Sequence, residues 1–202
     1  MKKVLFVTSE AVPFIKTGGL ADVAGSLPRY FDKTKYDVRI ILPKYVCMDD
    51  GLKEQMRFHS RFYVKLSWRS QYVGVLETKV DGITYYFIDN EYYFAGTKPY
   101  NNIYEDVEKF AYFSKAVLEA LPVIGFCPDI LHCHDWQTGL IPVYMKERFR
   151  GGDFFSRMKS VITIHNLKFQ GKWDTKTVRS ITGLSDYFFT ADKLEAYKDA
   201  NL

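Results

Sequence analysis

The sequence predicts an α/β fold: a Rossmann-like, mostly parallel sheet with helices on both faces and an antiparallel hairpin region inserted at about residues 55–89. Three observations carry this. Short unbroken runs rich in apolar and β-branched residues recur at 4–8, 37–42, 129–133 and 160–164, the pattern of strands buried on both faces. Segments of helical period stand between them. Asp81-Gly82 separates two alternating runs, a signal for a type I′ hairpin turn.

Taken in order, Val4-Leu5-Phe6-Val7-Thr8 is the first strand, and residues 20–31 carry Val23, Leu27 and Phe31 at helical spacing. Residues 37–42, stopped by Pro43, complete a βαβ opening. Alternating runs at 58–64, 72–80 and 83–88 form the antiparallel region. A loop rich in Tyr, Gly, Asn and Pro then leads to a helix over 106–121, whose stripe is Val107, Phe110, Ala111, Ser114, Val117, Leu118 and Leu121, ended by Pro122. A strand at 129–133, a helix at 139–148 and a buried strand at 160–164 follow. Beyond Lys172 the signals weaken: short helices are expected at 177–182 and 185–189, and 191–202 is a polar helical candidate.

A chain of 202 residues, 47% hydrophobic and 26% charged, has the composition of a globular domain and excludes disorder or a collagen-like repeat. The formal charge of +4 is spread without basic runs, so nothing calls for nucleic acid or an anionic membrane as partner. Ser9-Glu10 cuts the first apolar stretch too short for a secretory signal, and no run approaches the length of a membrane span. Cys47, Cys127 and Cys133 are odd in number and lack C-x-x-C spacing, which points to a reducing compartment; a cytoplasmic location is expected.

Ligands of open α/β sheets bind at the carboxyl ends of the strands. Three loops there are informative. After the first strand, Lys16-Thr17-Gly18-Gly19-Leu20-Ala21-Asp22-Val23 places two glycines where a helix begins. Backbone N–H groups and an ammonium could approach a phosphate there, although neither G-x-G-x-x-G nor a P-loop is present and, from these residues alone, a tight turn with a solvated lysine is the favoured reading. After the strand at 129–133 comes His132-Cys133-His134-Asp135-Trp136-Gln137. Alternate strand residues point to opposite faces, so His132 and Cys133 cannot converge on a metal, and no metal or cofactor is expected. A structural histidine pair and a sugar-facing loop remain open, the latter because a carboxylate accepts sugar hydroxyls beside an indole that packs on the ring. After the strand at 160–164 come His165-Asn166-Leu167, with structural and functional readings in balance. The loop from Tyr92 to Asn101 has the composition of a carbohydrate platform or of a cover for the antiparallel strands.

In this order, the loops resemble the N-terminal lobe of bacterial glycogen synthases, relatives of plant starch synthases. The likeness rests on Lys16-Thr17-Gly18-Gly19-Leu20-Ala21-Asp22-Val23, supported by Ser9-Glu10, Pro43, His134-Asp135-Trp136, Gly139, Thr163-Ile164-His165-Asn166-Leu167 and Gln170-Gly171. The resemblance implies one lobe of a two-lobe, GT-B type glycosyltransferase, occupying residues 1–202. It implies retaining transfer of glucose from ADP-glucose to the non-reducing end of an α-1,4-glucan such as glycogen. Carried over by motif, Lys16, Gly18 and Gly19 would meet the donor diphosphate with Asp22 close by. His165 would be the catalytic residue beside the transferred glucose, supported by Asn166, with Asp135, Trp136 and Tyr100 near the glucose and acceptor cleft. Gln137 and Phe169 stand where some members have His and Tyr. The family's C-terminal lobe, which holds most nucleotide contacts, has no counterpart in this chain, and the fragment is expected to be inactive alone. A non-catalytic carbohydrate- or nucleotide-binding module is the alternative. A dehydrogenase lobe is disfavoured, since Leu42-Pro43-Lys44 stands where its acidic residue belongs.

Overall fold

The computed structural model describes residues 1–149 and 153–202. β1 (Lys2–Val7) leads through a polar loop to α1 (Gly19–Ser26), which tightens into a 3₁₀ turn at Leu27–Tyr30. β2 (Tyr36–Pro43) and the single turn α2 (Asp50–Lys53) precede β3 (Arg57–Leu66), β4 (Arg69–Val80) and β5 (Ile83–Asp89). α3 (Glu91–Phe94) and the long α4 (Ile103–Val123) follow. β6 (Ile130–His134) runs through a 3₁₀ turn, Trp136–Thr138, into α5 (Leu140–Tyr144), which continues as a π-helical turn, Met145–Phe149. β7 (Lys159–Thr163), β8 (Lys172–Asp174), α6 (Thr175–Thr182), β9 (Glu195–Ala196) and β10 (Asp199–Asn201) complete the described chain.

Among the described residues, seven strands form one sheet in the order β3-β4-β5-β2-β1-β6-β7, and β8, β10 and β9 form a small antiparallel sheet. The segment from β5 through β2, β1 and β6 to β7 is parallel. The order reverses at β1, which has β2 on one side and β6 on the other. That is the switch point at which an open sheet leaves a crevice beyond its strand ends.

The buried strands form as their sequences require. Val4, Leu5, Phe6 and Val7 are all buried, as are Ile40, Ile41 and Leu42, so the centre of the sheet is covered on both faces. The turn between β4 and β5 has positive φ at Asp81 (50°) and Gly82 (80°), the conformation that lets two residues follow the twist of the strands. Every residue of the expected α4 stripe is buried, and Pro122 falls in its last turn.

The antiparallel region stands between β2 and β5 in sequence, as expected, and it extends the main sheet, because β5 pairs in parallel with β2 and antiparallel with β4. Three expectations need correction. In α1 the buried residues are Leu20, Ala21, Ala24 and Gly25, while Val23 and Leu27 are exposed. Small residues win there because the helix packs close: a Cβ on Gly25 would lie 2.3 Å from the Val12 carbonyl oxygen. β7 is not a buried strand but the edge of the sheet, with Val161 and Ile162 exposed; its apolar run calls for a cover that these residues do not supply. Finally, 191–202 is not a helix but the β9–β10 hairpin, turned by positive φ at Tyr197 and Lys198, residues that carry no ordinary turn signature.

Candidate functional site

A cleft of about 1010 Å³ opens at the switch point. The loop after β1 supplies Glu10, Thr17, Gly18 and Gly19 to its wall; the residues after β6 supply Asp135, Trp136 and Gln137. His165, Asn166 and residues 168–172 come from the loop after β7, and Tyr100 and Asn101 from the segment before α4.

Glu10 organises the first wall. Its buried carboxylate accepts from the backbone N–H of Thr17 at 2.5 Å, from Thr17 Oγ1 at 2.9 Å and from the Tyr100 hydroxyl at 3.1 Å. The Tyr100 hydroxyl also lies 2.7 Å from Ser9 Oγ. Burial and the Glu10 carboxylate push the Tyr100 phenol well above its ordinary range, so it stays protonated and acts as a neutral donor. The loop carrying Tyr100 is itself stapled to α4. Lys109 Nζ donates to Pro99 O at 2.9 Å and to buried Asp106 at 2.7 Å, while Asp106 accepts from the N–H of Asn101 at 3.1 Å. A buried ion pair with its remaining valences filled by backbone fixes a loop rather than adding net stability.

Asp135 joins the second and third walls. Its backbone has φ 57° and ψ −179°, a conformation costing a non-glycine residue of order 1–3 kcal/mol. The strained geometry sends Asp135 N to Thr163 O at 2.9 Å and its carboxylate to the backbone N–H of His165 at 2.6 Å. His165 Nε2 lies 2.9 Å from Nδ1 of His134, whose residue is fully buried. His132 stacks on His134 with ring centroids 4.3 Å apart and bonds Thr163 Oγ1 at 2.7 Å. Burial, aided by the two neighbouring imidazoles, holds the His134 pKa down to about 3.

His134 is neutral in the fold while the unfolded chain takes up a proton below about 6.5, so stability falls as pH drops from about 6.5 towards 3. Between pH 7 and pH 5 the protein should lose about 2 kcal/mol more than a His134→Asn variant, from about 1.36 kcal/mol per pH unit below the unfolded value. Urea unfolding at the two pH values measures this. Equal losses in both proteins would refute it.

Trp136 meets the edge of Phe110 at 5.4 Å, and its indole covers Gly171. Gly171 has φ +52°, and a Cβ there would fall 2.3 Å from Trp136 Cε3. Both the backbone and the contact demand glycine. Gly171→Ala should therefore lower stability by about 1–3 kcal/mol and displace the indole from the cleft wall. A crystal structure of the variant with Trp136 unmoved would contradict this.

Of the residues the sequence singled out, Gly18, Gly19, Tyr100, Asp135, Trp136, His165 and Asn166 all line the cleft. Lys16 and Asp22 stand beside it, joined by a half-exposed ion pair of 2.8 Å. Gly18 has extended φ of −155°, and a Cβ on Gly18 or Gly19 would meet nothing within 4 Å. Neither strain nor packing requires glycine there, so what the two glycines leave open is approach from the cleft to the start of α1, where no side-chain cap occupies the free N–H groups. Sequence reasoning passed over Glu10 and His134 as site residues. Glu10 lies three residues beyond the end of β1, and the strand-end rule could have found it; the His134–His165 bond joins residues 31 apart and has no sequence signal. Among the described residues, no group of histidine, cysteine and acidic side chains is arranged to hold a metal ion, and no helix is long and apolar enough to cross a membrane.

Comparison with known proteins gives a consistent result. The family described as starch synthase catalytic domain matches residues 3–202. A glycogen synthase of Lachnospira eligens is 67% identical over 201 residues, covering 100% of this chain and 42% of that protein. A glycogen synthase of Anoxybacillus flavithermus is 48% identical over 195 residues, covering 96% and 40%. The catalytic domain of starch synthase IV from Arabidopsis thaliana, solved bound to ADP and acarbose, superposes with a TM-score of 0.87 at 26% identity, over 99% of this chain and 41% of that one. The chain thus spans about two fifths of the length of these relatives.

Proposed function

Because the chain belongs to the starch synthase catalytic domain family, we propose that it forms the acceptor-side lobe of a retaining glucosyltransferase that moves glucose from ADP-glucose to the non-reducing end of an α-1,4-glucan. A second lobe, corresponding to the remaining length of the relatives, supplies the nucleotide contacts and closes the cleft. The observation that carries this reading is the unoccupied space at Gly18 and Gly19. It opens the uncapped start of α1 to an anionic group in the same cleft as an indole, a phenol and an imidazole.

The chemistry follows from charge. As the glycosidic bond to the donor breaks, the departing diphosphate gains negative charge, which preorganised N–H groups at Gly18 and Gly19 stabilise together with Lys16. Lys16 reaches it by leaving Asp22, an exchange made easy because an exposed ion pair is worth little. Trp136 packs on a sugar face, the Tyr100 hydroxyl and Asp135 meet sugar hydroxyls, Asn166 supports the bound glucose, and His165 acts on it. The free thiols fit a reducing, cytoplasmic setting. A non-catalytic binding module would bind ADP-glucose or maltooligosaccharides in calorimetry without turning over.

Lys16→Ala in the full-length protein is expected to lower transfer about tenfold or more, because a charge-assisted contact to phosphate is worth about 1.5–3 kcal/mol. The melting temperature should barely move, since the lysine and its partner are half-exposed. Normal kinetics with a large fall in melting temperature would make Lys16 structural.

A further inference from the structure

We infer that His134 is a positioning residue: it fixes both the orientation of the His165 ring and the nitrogen on which His165 carries its proton. The inference deepens the proposed function and rests on it where it concerns turnover. The geometry stands by itself. His165 Nε2 lies 2.9 Å from His134 Nδ1, with the ring planes 18° apart. His134 is buried and packs against the rings of Phe6, at 5.1 Å, and His132, at 4.3 Å. Its other nitrogen, Nε2, is buried with no hydrogen-bond partner.

That unpartnered nitrogen decides the proton arrangement. The groups facing His134 are the rings of His132 and His165, with the Asp135 carboxylate turned onto the His165 backbone, and His134 stays neutral with a single N–H. If that proton sat on Nε2, a buried donor would be left without an acceptor, the rarer and costlier defect. If it sits on Nδ1, it is donated to His165, and only a bare ring nitrogen is left buried. The second arrangement is therefore the stable one. His165 Nε2 is then an acceptor, and its own proton is held on Nδ1, for which no described protein group provides a partner. His165 lines the cleft, so it presents an N–H donor to an oxygen of the bound sugar. Asp135 holds the backbone of the same residue at 2.6 Å, so backbone and ring are anchored separately.

The amide nitrogen of Asn can occupy the position of an imidazole Nδ1, whereas that of Gln mimics Nε2. In the full-length protein, His134→Asn is expected to keep kcat within about threefold of wild type. His134→Gln and His134→Phe should lower kcat about tenfold or more, with both KM values within about twofold, the mark of lost alignment rather than lost binding. Equal activity of the Asn and Gln variants, or full activity of His134→Phe, would overturn the inference. A second measurement needs neither turnover nor a variant. The chain contains 4 histidines, and ¹⁵N shifts of histidine-labelled wild-type protein report which ring nitrogen is protonated. The expected result is Nδ1–H on both His134 and His165 at neutral pH; an Nε2–H tautomer of His165 would refute the assignment. Should the full-length wild-type protein transfer no glucose, the functional reading fails while the tautomer still decides the positioning role.

Discussion

Replacing His165 by Ala in the full-length protein is expected to lower kcat by about 100-fold while leaving both KM values within a few-fold, the size expected for one donor that acts mainly in the transition state. The residue is unusually constrained for a loop position. Its backbone N–H is held by Asp135 and its ring by His134, and Asp135 adopts a strained conformation to make the first of these contacts. Such a backbone persists only where its surroundings over-determine it, and here those surroundings aim one imidazole into the cleft. Removing that ring also leaves His134 Nδ1 buried without a partner, so a loss of about 1–3 kcal/mol in stability should accompany the kinetic effect. A variant changed only in KM would make His165 a ground-state binder.

Much of this site was legible because its determinants are local. The strand at residues 4–8, the helix stripe on α4 and the Asp81-Gly82 turn each follow from neighbours in sequence, and the loops at strand ends together with the family resemblance, which supplied Tyr100, led to seven residues that line one cleft. What escaped depends on contacts distant in sequence. The Glu10 clamp brings together residues up to 90 apart, and the buried Lys109–Asp106 pair of α4 also holds the Pro99 carbonyl and the Asn101 N–H of the preceding loop. Val161 and Ile162 read as core because their sequence says apolar; their exposure depends on what packs over β7. The C-terminal hairpin was missed for a different reason: Tyr197 and Lys198 turn with positive φ without glycine or asparagine to announce it.

The chain alone is expected to fold around the core that joins β1, β2, β5 and α4, yet to have negligible transferase activity. A cleft with one wall absent is a hydrated face, in which water competes for each polar contact and weakens its electrostatic worth. The alignment of donor, acceptor and His165 that closure supplies is lost as well, a term that reaches about 7–11 kcal/mol in well-oriented systems. Residual glucan binding at the Asp135 and Tyr100 loops remains expected, since the contacts proposed for them belong to this lobe.

The decisive measurement is incorporation of labelled glucose from ADP-glucose into a glucan primer by purified residues 1–202, alone and after mixing with the separately expressed remainder of the full-length protein. A site shared between two lobes predicts no incorporation by the chain alone and clear incorporation on mixing, abolished by His165→Ala in this chain. Appreciable transfer by residues 1–202 without a second lobe would contradict it.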